Sequence, residues 1–459
     1  IPGYKTDIIF YDANHQEIAR KGVTANEFGS FEGVFTAPTS GLTGRMFIAD
    51  SHGNSNHYFR VEEYKRPKFN VEIPALKESF KIDDNVKVTG EAKAYAGSNI
   101  DGAKVQYRVV RTVQFPYWKW WYWGWNPWQR EEQEIAFGET LTDEKGNFTV
   151  NFKAIPDKSI PKENKPQFTY TVYADVTDIT GETHSRQTTV TVGYVALKAD
   201  IEVGETVNRS EVKEFKISTL NLNGEFEAAK GKVKIELLES PDQIYKDRSF
   251  GDSDYHLIPE ADFRRDFPGM AYKNEDKVQN WKVLRTQLES DFDSKLSKSI
   301  SLKGIENWEQ GKYKVTLTSS DKYGEKVEVI HFFTLYDGNM KSVPVNEALF
   351  TADKSYRAEP GEKVKVDFGS FDKDAYILFE VEHENEIVRS EWIQPNGRKE
   401  IELAVEEKHR GGFSYHLSMV LNSRFYRHSG RIDVPWTNKE LTVEYSTFRD
   451  KLLPGQEEE

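Results

Sequence analysis

The sequence predicts an all-β protein made of tandem antiparallel β-sandwich modules, with one short helix in the third module. Three observations predict this fold class. A hairpin pattern recurs four times, helical periodicity is scarce, and a chain of 459 residues is long enough for three or four domains of ordinary size. Because the strands of each repeat alternate apolar and polar residues, one face of each sheet is predicted to pack in a core.

The recurring hairpin consists of two alternating runs separated by a polar turn. In the second copy the turn contains Asp178 and Gly181, and in the third it contains Asp321 and Gly324. Glycine takes the positive φ that such turns need. The four copies occupy residues 44–61, with a turn at His52 and Gly53, 170–192, 313–335 and, in a degraded form, 415–434. We interpret each copy as the closing hairpin of a β module.

A second shared segment precedes the first two hairpins. One glycine and two phenylalanines have the same spacing in both copies: Gly29, Phe31 and Phe35 in the first, and Gly146, Phe148 and Phe152 in the second. Residues four apart on a strand point to the same face of the sheet. Both pairs of phenylalanines are therefore predicted to lie on strands and to fill a sandwich core.

A third shared strand indicates how the chain divides into modules. It is found at residues 103–109, 231–237 and 375–381, and residues 4–11 are its counterpart near the beginning. Residues 451–456 (KLLPGQ) repeat the pattern of 357–362 (RAEPGE). The predicted division is a partial module at 1–64, a module with a Trp-rich hairpin insertion at 65–193, one with a loop and helix insertion at 194–338, one at 339–448, and the start of a following module at 449–459.

Helix is predicted only in the insertion of the third module. Residues 259–266 (PEADFRRD) begin with Pro, carry acidic residues in the first turn, and are followed by Phe-Pro-Gly. Residues 278–292 fit a helical stripe only loosely. For this second segment we favour a short helix over a strand.

The composition disfavours several classes of partner and chemistry. With 62 basic and 75 acidic residues, the chain has a net charge of -13 and would repel a phosphate backbone, so no nucleic-acid partner is expected. No apolar run approaches the roughly 20 residues that cross a bilayer, so no transmembrane segment is expected. The chain contains no cysteine, which excludes disulfides, thiolate metal sites and a thioester within these residues.

No motif in the sequence predicts catalysis or metal binding. The chain lacks a His-Glu-x-x-His pair, a Gly-x-Ser-x-Gly turn and a phosphate-binding glycine loop. Three pairs of aspartates could offer oxygens to calcium: Asp175 and Asp178, Asp252 and Asp254, and Asp291 and Asp293. None has the spacing of an EF-hand loop, so we interpret them as turn-capping residues. We therefore expect no catalytic residue, no cofactor and no metal.

Five segments resemble the bacterial alpha-2-macroglobulin family. Residues 58–71 (YFRVEEYKRPKFNV) resemble the family's junction between two domains. Residues 26–35 are similar to its Gly-Ser-Phe strand, and residues 90–105 to its Gly-x-Ala-x-Tyr segment with the strand that follows. Residues 137–148 resemble its Thr-Asp-x-x-Gly turn, and residues 356–364 the Tyr-x-Pro-Gly opening of the domain before the bait region.

The resemblance covers essentially the whole chain and implies both a fold and a function. It implies macroglobulin-like, immunoglobulin-like sandwich domains from an endopeptidase inhibitor, in which a bait segment is cleaved and the modules then rearrange to enclose the protease. This chain would be a non-catalytic scaffold segment of such an inhibitor. The implied partners are proteases, through the intact protein, and neighbouring macroglobulin-like domains. The implied location is the bacterial cell envelope, either periplasmic or surface-exposed.

One segment of the second module has a composition unlike the rest of the chain. Residues 115–128 (FPYWKWWYWGWNPW) hold six of the ten tryptophans: Trp118, Trp120, Trp121, Trp123, Trp125 and Trp128. Indole rings suit both buried interfaces and external ligands. One hypothesis is that this segment folds over an adjacent module and seals the joint. In the alternative, the protein is a cell-envelope binding protein whose Trp-rich loop contacts a glycan or a protein partner.

Overall fold

A computed structural model describes residues 2–12, 14–36, 44–51, 56–61, 67–114, 132–246, 255–352 and 356–437. These residues contain 27 strands in seven sheets. The single α-helix within the described ranges, α1, spans Glu260–Asp266. Short 3₁₀ segments occupy Lys162–Asn164, Val278–Asn280, Ile305–Asn307 and Glu407–His409. The predicted all-β fold class and the predicted short helix are both confirmed.

The first unit is a four-stranded antiparallel sheet in the order β2-β1-β3-β4. Its strands are β1 (Lys5–Tyr11), β2 (Glu17–Thr24), β3 (Gly44–Asp50) and β4 (Asn56–Val61). Phe10 and Met46 are buried on one face, where the ring of Phe35 lies 5.7 Å from that of Phe10. On the other face Tyr11 stacks on Phe47 at 4.7 Å.

The second sandwich has a three-stranded sheet, β5-β6-β9, facing a four-stranded sheet, β11-β10-β7-β8. The strands are β5 (Phe69–Glu72), β6 (Asn85–Ala94), β7 (Lys104–Gln114), β8 (Gln133–Leu141), β9 (Asn147–Lys153), β10 (Gln167–Thr177) and β11 (Thr183–Gly193). Alternate residues of both sheets point inward, so Val86 and Phe148 from one sheet share a buried cluster with Val105 and Phe168 from the other.

The third and fourth sandwiches each pair a three-stranded sheet with a five-stranded sheet. In the third sandwich β12-β14-β17 faces β13-β19-β18-β15-β16, and in the fourth β20-β22-β25 faces β21-β27-β26-β23-β24. The third comprises β12 (Leu197–Glu202), β13 (Thr206–Asn208), β14 (Glu214–Asn221), β15 (Lys230–Leu238), β16 (Val283–Asp293), β17 (Ser299–Ser301), β18 (Gly311–Ser320) and β19 (Lys326–Tyr336). The fourth comprises β20 (Phe350–Thr351), β21 (Tyr356–Arg357), β22 (Lys363–Gly369), β23 (Ile377–His383), β24 (Glu386–Ile393), β25 (Arg398–Ala404), β26 (Phe413–Leu421) and β27 (Arg424–Asp433).

A short parallel pairing recurs in all three sandwiches and was not predicted from the sequence. β13 runs parallel to β19, and β21 runs parallel to β27. In the second sandwich the corresponding contact is a single parallel bridge between Lys81 and Gly193. In each case the paired segment follows the first strand of the three-stranded sheet and precedes the second. It pairs with the last strand of the opposite sheet, so it connects the two sheets along one side.

One five-residue turn recurs along the described part of the chain. At Asp178, Oδ1 accepts the backbone N–H groups of residues 180 and 182, and the N–H of Gly181 donates to the Asp178 carbonyl. The fourth position takes a positive φ in every copy, which favours glycine there. Six copies share these bonds, beginning at Asp12, Asn26, Asp143, Asp178, Asn221 and Asp321. The recurring Asp or Asn therefore caps its own turn.

The helix expected over residues 278–292 is a strand over most of its length. After the 3₁₀ segment, β16 pairs antiparallel with β15 throughout, with Leu288 opposite Ile235. The ring of Phe292 lies over Gly231, where an added Cβ would stand 2.7 Å from the ring. Pairing with β15 and this ring contact outweigh the weak helical pattern of the segment.

The predicted core phenylalanines are confirmed in the second sandwich and wrong in part in the first unit. Phe148 and Phe152 are buried on β9. Phe31 is exposed, and residues 31–36 form no strand, although Phe35 still contacts Phe10. β9 is held by its ladder with β6, and the described part of the first unit contains no counterpart of β6.

Candidate functional site

The six tryptophans singled out in the sequence, Trp118, Trp120, Trp121, Trp123, Trp125 and Trp128, lie outside the described residues, as do Asp252 and Asp254. Their proposed roles stay predictions. The other aspartates act within turns and strands. Asp175 accepts a hydrogen bond from the Ser185 hydroxyl, and Asp178 caps its turn. Asp293 accepts the N–H of Lys295, while Asp291 lies on β16.

The described residues converge instead at two joints where one sandwich meets the next. The first joint is between the second and third sandwiches, and its centre is Tyr323 in the closing turn of the third. The Tyr323 hydroxyl donates to Asp84 Oδ2 at 2.8 Å, and it lies 3.1 Å from the Ser79 carbonyl. Lys322 Nζ donates to the same carbonyl at 2.7 Å. One turn of the third sandwich thus holds the segment that leads into β6 of the second.

Further polar contacts cross the first joint next to this turn. Ser79, which is buried, donates its hydroxyl hydrogen to Glu227 Oε2 at 2.6 Å. The Asn221 side-chain amide donates to the Lys77 carbonyl at 3.0 Å, and Asn223 Oδ1 accepts the N–H of Thr191 at 2.7 Å. Each of these bonds links residues from different sandwiches. Their loss would be needed before the two bodies could separate.

The electrostatic environment of Tyr323 favours its neutral form. Burial, followed by the hydrogen bond to Asp84, raises the pKa of Tyr323 above its ordinary value. The ammonium groups of Lys81 and Lys322 lie 4.6 Å and 5.1 Å from its ring centroid. The hydroxyl therefore remains a donor at neutral pH, while the ring face contacts two cations.

The second joint is between the third and fourth sandwiches, and Arg398 on β25 organises it. Its guanidinium makes an ion pair with Asp367 at 2.6 Å, and the two side chains are only 8% and 7% exposed. The same guanidinium donates to the carbonyls of Gly338 and Met340, in the segment that connects the two sandwiches. Its Cζ lies 5.8 Å from the ring of Tyr336, the last residue of β19.

Apolar and titratable groups complete the second joint. Tyr336 from the third sandwich and Phe350 from the fourth form one buried cluster, with ring centroids 5.8 Å apart. Burial raises the pKa of Glu347, in the connecting segment, to about 7. Burial also lowers the pKa of Lys312 on β18, whose ammonium donates to the Thr334 hydroxyl at 3.0 Å.

Sequence reasoning identified the turn that carries Tyr323 but not its role at the joint. The third-sandwich turn Asp321–Glu325 matches the second-sandwich turn Asp178–Glu182, in which Ile179 is exposed. The sequence places a lysine and a tyrosine at the two positions after Asp321. An aromatic side chain is unusual at the solvent-exposed tip of a hairpin, so this tyrosine could have indicated a contact with a neighbouring module. Arg398 offered no comparable signal, since Arg is common on strands that face solvent.

Neither metal ligands nor a membrane-spanning helix stand out in the described part of the chain. Within the described ranges, no three His, Asp or Glu side chains cluster closely enough to hold a metal ion. In those same ranges, no helix has both the length and the apolar character needed to cross a bilayer. The two joints are made of hydrogen bonds, contacts between cations and aromatic rings, and an apolar cluster.

Comparison with known proteins agrees with the motifs seen in the sequence. No protein-family model matches the chain. Over 151 residues it is 26% identical to the alpha-2-macroglobulin of Thermotoga maritima, a match covering 32% of this chain and 9% of that protein. The predicted resemblance to bacterial alpha-2-macroglobulins is confirmed.

Solved alpha-2-macroglobulin structures also align with this chain. Trypsin-activated alpha-2-macroglobulin from Escherichia coli aligns with 95% of this chain and 28% of that chain, at 13% identity and a TM-score of 0.39. Salmonella alpha-2-macroglobulin reacted with methylamine also aligns with 95% of this chain and 28% of that chain, at 15% identity and a TM-score of 0.30. The chain spans well under a third of the length of these alpha-2-macroglobulins.

Proposed function

We propose that this chain is a non-catalytic scaffold segment of a bacterial alpha-2-macroglobulin-like inhibitor that traps endopeptidases after its bait segment is cleaved. The observation that carries the proposal is the 26% identity to the Thermotoga maritima alpha-2-macroglobulin over 151 residues. Its partners would be proteases, through the intact protein, and neighbouring macroglobulin-like domains. As an inhibitor of this class it would act outside the cytoplasm, in the periplasm or at the cell surface.

We also propose the module boundaries predicted above, near residues 65, 193 and 338. Supporting them, the three large buried clusters lie within residues 69–192, 197–335 and 358–434, so none of these three crosses a proposed boundary. The small cluster of Tyr336, Phe350 and Ala352 connects the two modules that meet near residue 338. The residue at each of these two boundaries also contacts the next sandwich. Gly193 lies beside Leu222, and the Gly338 carbonyl accepts from Arg398.

A scaffold in a protease trap must transmit movement without unfolding, and the two joints suit this task. Polar contacts of moderate strength at the first joint would hold a defined angle between sandwiches that have separate cores. At the second joint, the bonds from the Arg398 guanidinium to the Gly338 and Met340 carbonyls, together with the shared apolar cluster, would resist separation more strongly. We infer that the first joint yields before the second when the trap rearranges.

The trapping role is tested with the longest natural polypeptide that contains these residues, treated with trypsin. The expected result is stoichiometric protection of a large protein substrate, while the same trypsin still cleaves a small peptide substrate. The 459-residue chain alone is expected to inhibit no protease and to hydrolyse nothing. Protection of the large substrate by the chain alone would place the inhibitory element within these residues and overturn the scaffold assignment.

A further inference from the structure

The five-stranded sheet of the fourth sandwich has an apolar outer face. Trp392 on β24 pairs with Leu378 on β23 and is 66% exposed. Val420 and Phe425, which are cross-strand partners on β26 and β27, are also exposed, as is Tyr376 just before β23. Because side chains alternate along a strand, these five residues lie on one side of the sheet. We call them the apolar face: Tyr376, Leu378, Trp392, Val420 and Phe425.

The corresponding edge-strand positions in the second and third sandwiches are charged. Glu139 on β8 and Glu289 on β16 pair with the same residue of the shared central strand as Trp392 does in the fourth sandwich. Their carboxylates bind Lys104 and Lys232, at 2.8 Å and 2.6 Å. An exposed set of large apolar side chains often marks a binding surface. The apolar face is therefore a special feature of the fourth sandwich and not a general property of these sheets.

The apolar face lies at the end of the fourth sandwich that meets the third. The N–H of Phe371, in the turn that leads to β23, donates to the carbonyl of Glu347 in the connecting segment at 3.1 Å. Leu378 at the start of β23 pairs with Ser418 near the end of β26. The tip of the β26–β27 hairpin therefore lies at this same end of the sheet, and the whole face is next to the second joint.

The insertion of the third sandwich begins at the same joint. It follows β15, which ends at Leu238, and its base is closed by a hydrogen bond from the N–H of Glu239 to the carbonyl of Lys282 at 2.8 Å. The Pro241 carbonyl accepts a hydrogen bond from the side-chain amide of Asn346, in the connecting segment, at 2.6 Å. The base of the insertion is thus attached to the segment that leads into the fourth sandwich.

The insertion carries an exposed apolar segment of its own. Residues 255–258, which we call the insertion segment, form no helix or strand. Leu257 is 91% exposed, and Tyr255 and Ile258 are exposed as well. Contact between this segment and the apolar face would remove large apolar side chains on both sides from water, which is the main favourable contribution to such contacts.

We propose that the insertion segment binds to the apolar face of the fourth sandwich and so links the two sandwiches across the second joint. In this structure both surfaces face solvent, which is the open arrangement. The Tyr272 hydroxyl donates to the Ile258 carbonyl at 3.0 Å, and its ring lies 4.4 Å from that of His256. The insertion segment therefore moves together with the rest of the insertion, by rotation about the base at Glu239 and Lys282. The contact lies within the 459-residue chain, so it does not depend on the proposed trapping role.

Disulfide trapping in the full 459-residue chain tests the proposal, because the chain contains no cysteine of its own. Leu257→Cys is combined with Val420→Cys, and oxidised glutathione is the oxidant. The expected result is a disulfide within one chain, formed at a rate that does not depend on protein concentration.

The matched control combines Leu296→Cys with Val420→Cys. Leu296 is a similarly exposed leucine of the third sandwich, in the turn that follows β16. This turn lies beside the start of β15, since Asp293 pairs with Lys230, whereas the insertion follows the end of β15. The control disulfide is expected to form at least about tenfold more slowly, because its two thiols have a lower effective concentration.

A replacement on the apolar face distinguishes apolar binding from proximity alone. Trp392→Glu, added to the Leu257→Cys and Val420→Cys pair, is expected to slow disulfide formation at least about tenfold, because it places a charge in the contact. Phe137→Glu, at an exposed aromatic residue on β8 of the second sandwich, is expected to leave the rate unchanged. Circular dichroism checks that each variant is folded. No disulfide, a rate no faster than that of the Leu296→Cys control, disulfides that join two chains, or a rate unaffected by Trp392→Glu would each overturn the proposal.

Discussion

Replacing Arg398 with Met is expected to destabilise the fourth sandwich strongly and to loosen its joint with the third. The guanidinium is almost fully buried, pairs with the equally buried Asp367, and holds the carbonyls of Gly338 and Met340. Methionine preserves the aliphatic part of the side chain, so the perturbation removes mainly the charge and its donors. Asp367 would then lose its Arg398 partner while its carboxylate remains in a site that water reaches poorly.

The expected loss follows from the burial of the pair. Removing one partner of a buried ion pair typically costs about 3–5 kcal/mol, because the remaining charge is no longer compensated. At about 4 °C per kcal/mol for a domain of about 100 residues, even the lower value corresponds to a fall in Tm of roughly 12 °C for the fourth sandwich. The double replacement Arg398→Met with Asp367→Leu removes both charges, and it is expected to recover most of this loss.

Differential scanning calorimetry of the full chain measures the effect, and a second ion pair supplies the control. Lys365 and Glu400 lie on the same two strands, β22 and β25, and their ammonium and carboxylate groups are 2.8 Å apart but exposed to solvent. Lys365→Met is expected to lower the free energy of unfolding by less than about 1 kcal/mol, because an exposed ion pair contributes little to stability. If Arg398→Met lowers stability no more than this control does, or if the double replacement is no better than the single one, the reasoning from burial is wrong.

Three further predictions concern the joints and the tryptophan segment. Burial raises the pKa of Glu347 from 4.5 to about 7, so the folded state holds the proton more tightly, and stability falls as pH rises between these values. Glu347→Gln should therefore be more stable than wild type at pH 8, by up to about 3 kcal/mol, since each unit of pKa shift is worth about 1.4 kcal/mol. At pH 4 the two proteins should be nearly equal in stability in thermal melts. Equal gains at both pH values would contradict the raised pKa of Glu347. Tyr323→Phe should lower the free energy of unfolding by about 1.5–3 kcal/mol, because it removes the hydrogen bond to Asp84. The control Tyr95→Phe, at an exposed site of the second sandwich, should change the calorimetric Tm little. Similar losses of stability in both variants would refute the role of Tyr323 at the first joint. If the tryptophan segment seals a joint, replacing Trp121 and Trp123 with Ala should lower the free energy of unfolding by about 3–5 kcal/mol for each buried ring. A fall in Tm of less than about 2 °C would count against the sealing hypothesis.

The elements of the fold were predictable where a local pattern repeats. Strict alternation of apolar and polar residues marks the strands, and an Asp or Asn followed three residues later by Gly marks the turns. These signals are local, so they can be recognised without knowing which strand lies alongside. Where the pattern was weak, as in residues 278–292, pairing with β15 decided the conformation. Where the partner strand was absent from the described residues, as for residues 31–36, the Phe spacing did not produce a strand.

The joints were not predictable, because their residues carry no local signature. Tyr323 meets Asp84 across 239 positions of sequence, and Arg398 meets the Gly338 carbonyl across 60. Such contacts depend on the angle at which one sandwich follows another. That angle depends on the packing of entire surfaces, and no periodicity in the chain encodes it.

By itself, then, the sequence determined the all-β class, the repeated hairpins and turns, and the resemblance to bacterial alpha-2-macroglobulins. Only the tertiary structure decided that Arg398 and Asp367 are buried together and that Tyr323 bridges two sandwiches. The physical reason is the range of the interactions. Turn capping and strand alternation act over a few residues, whereas burial and edge exposure depend on which distant strands lie alongside, and that is settled only when the sheets assemble.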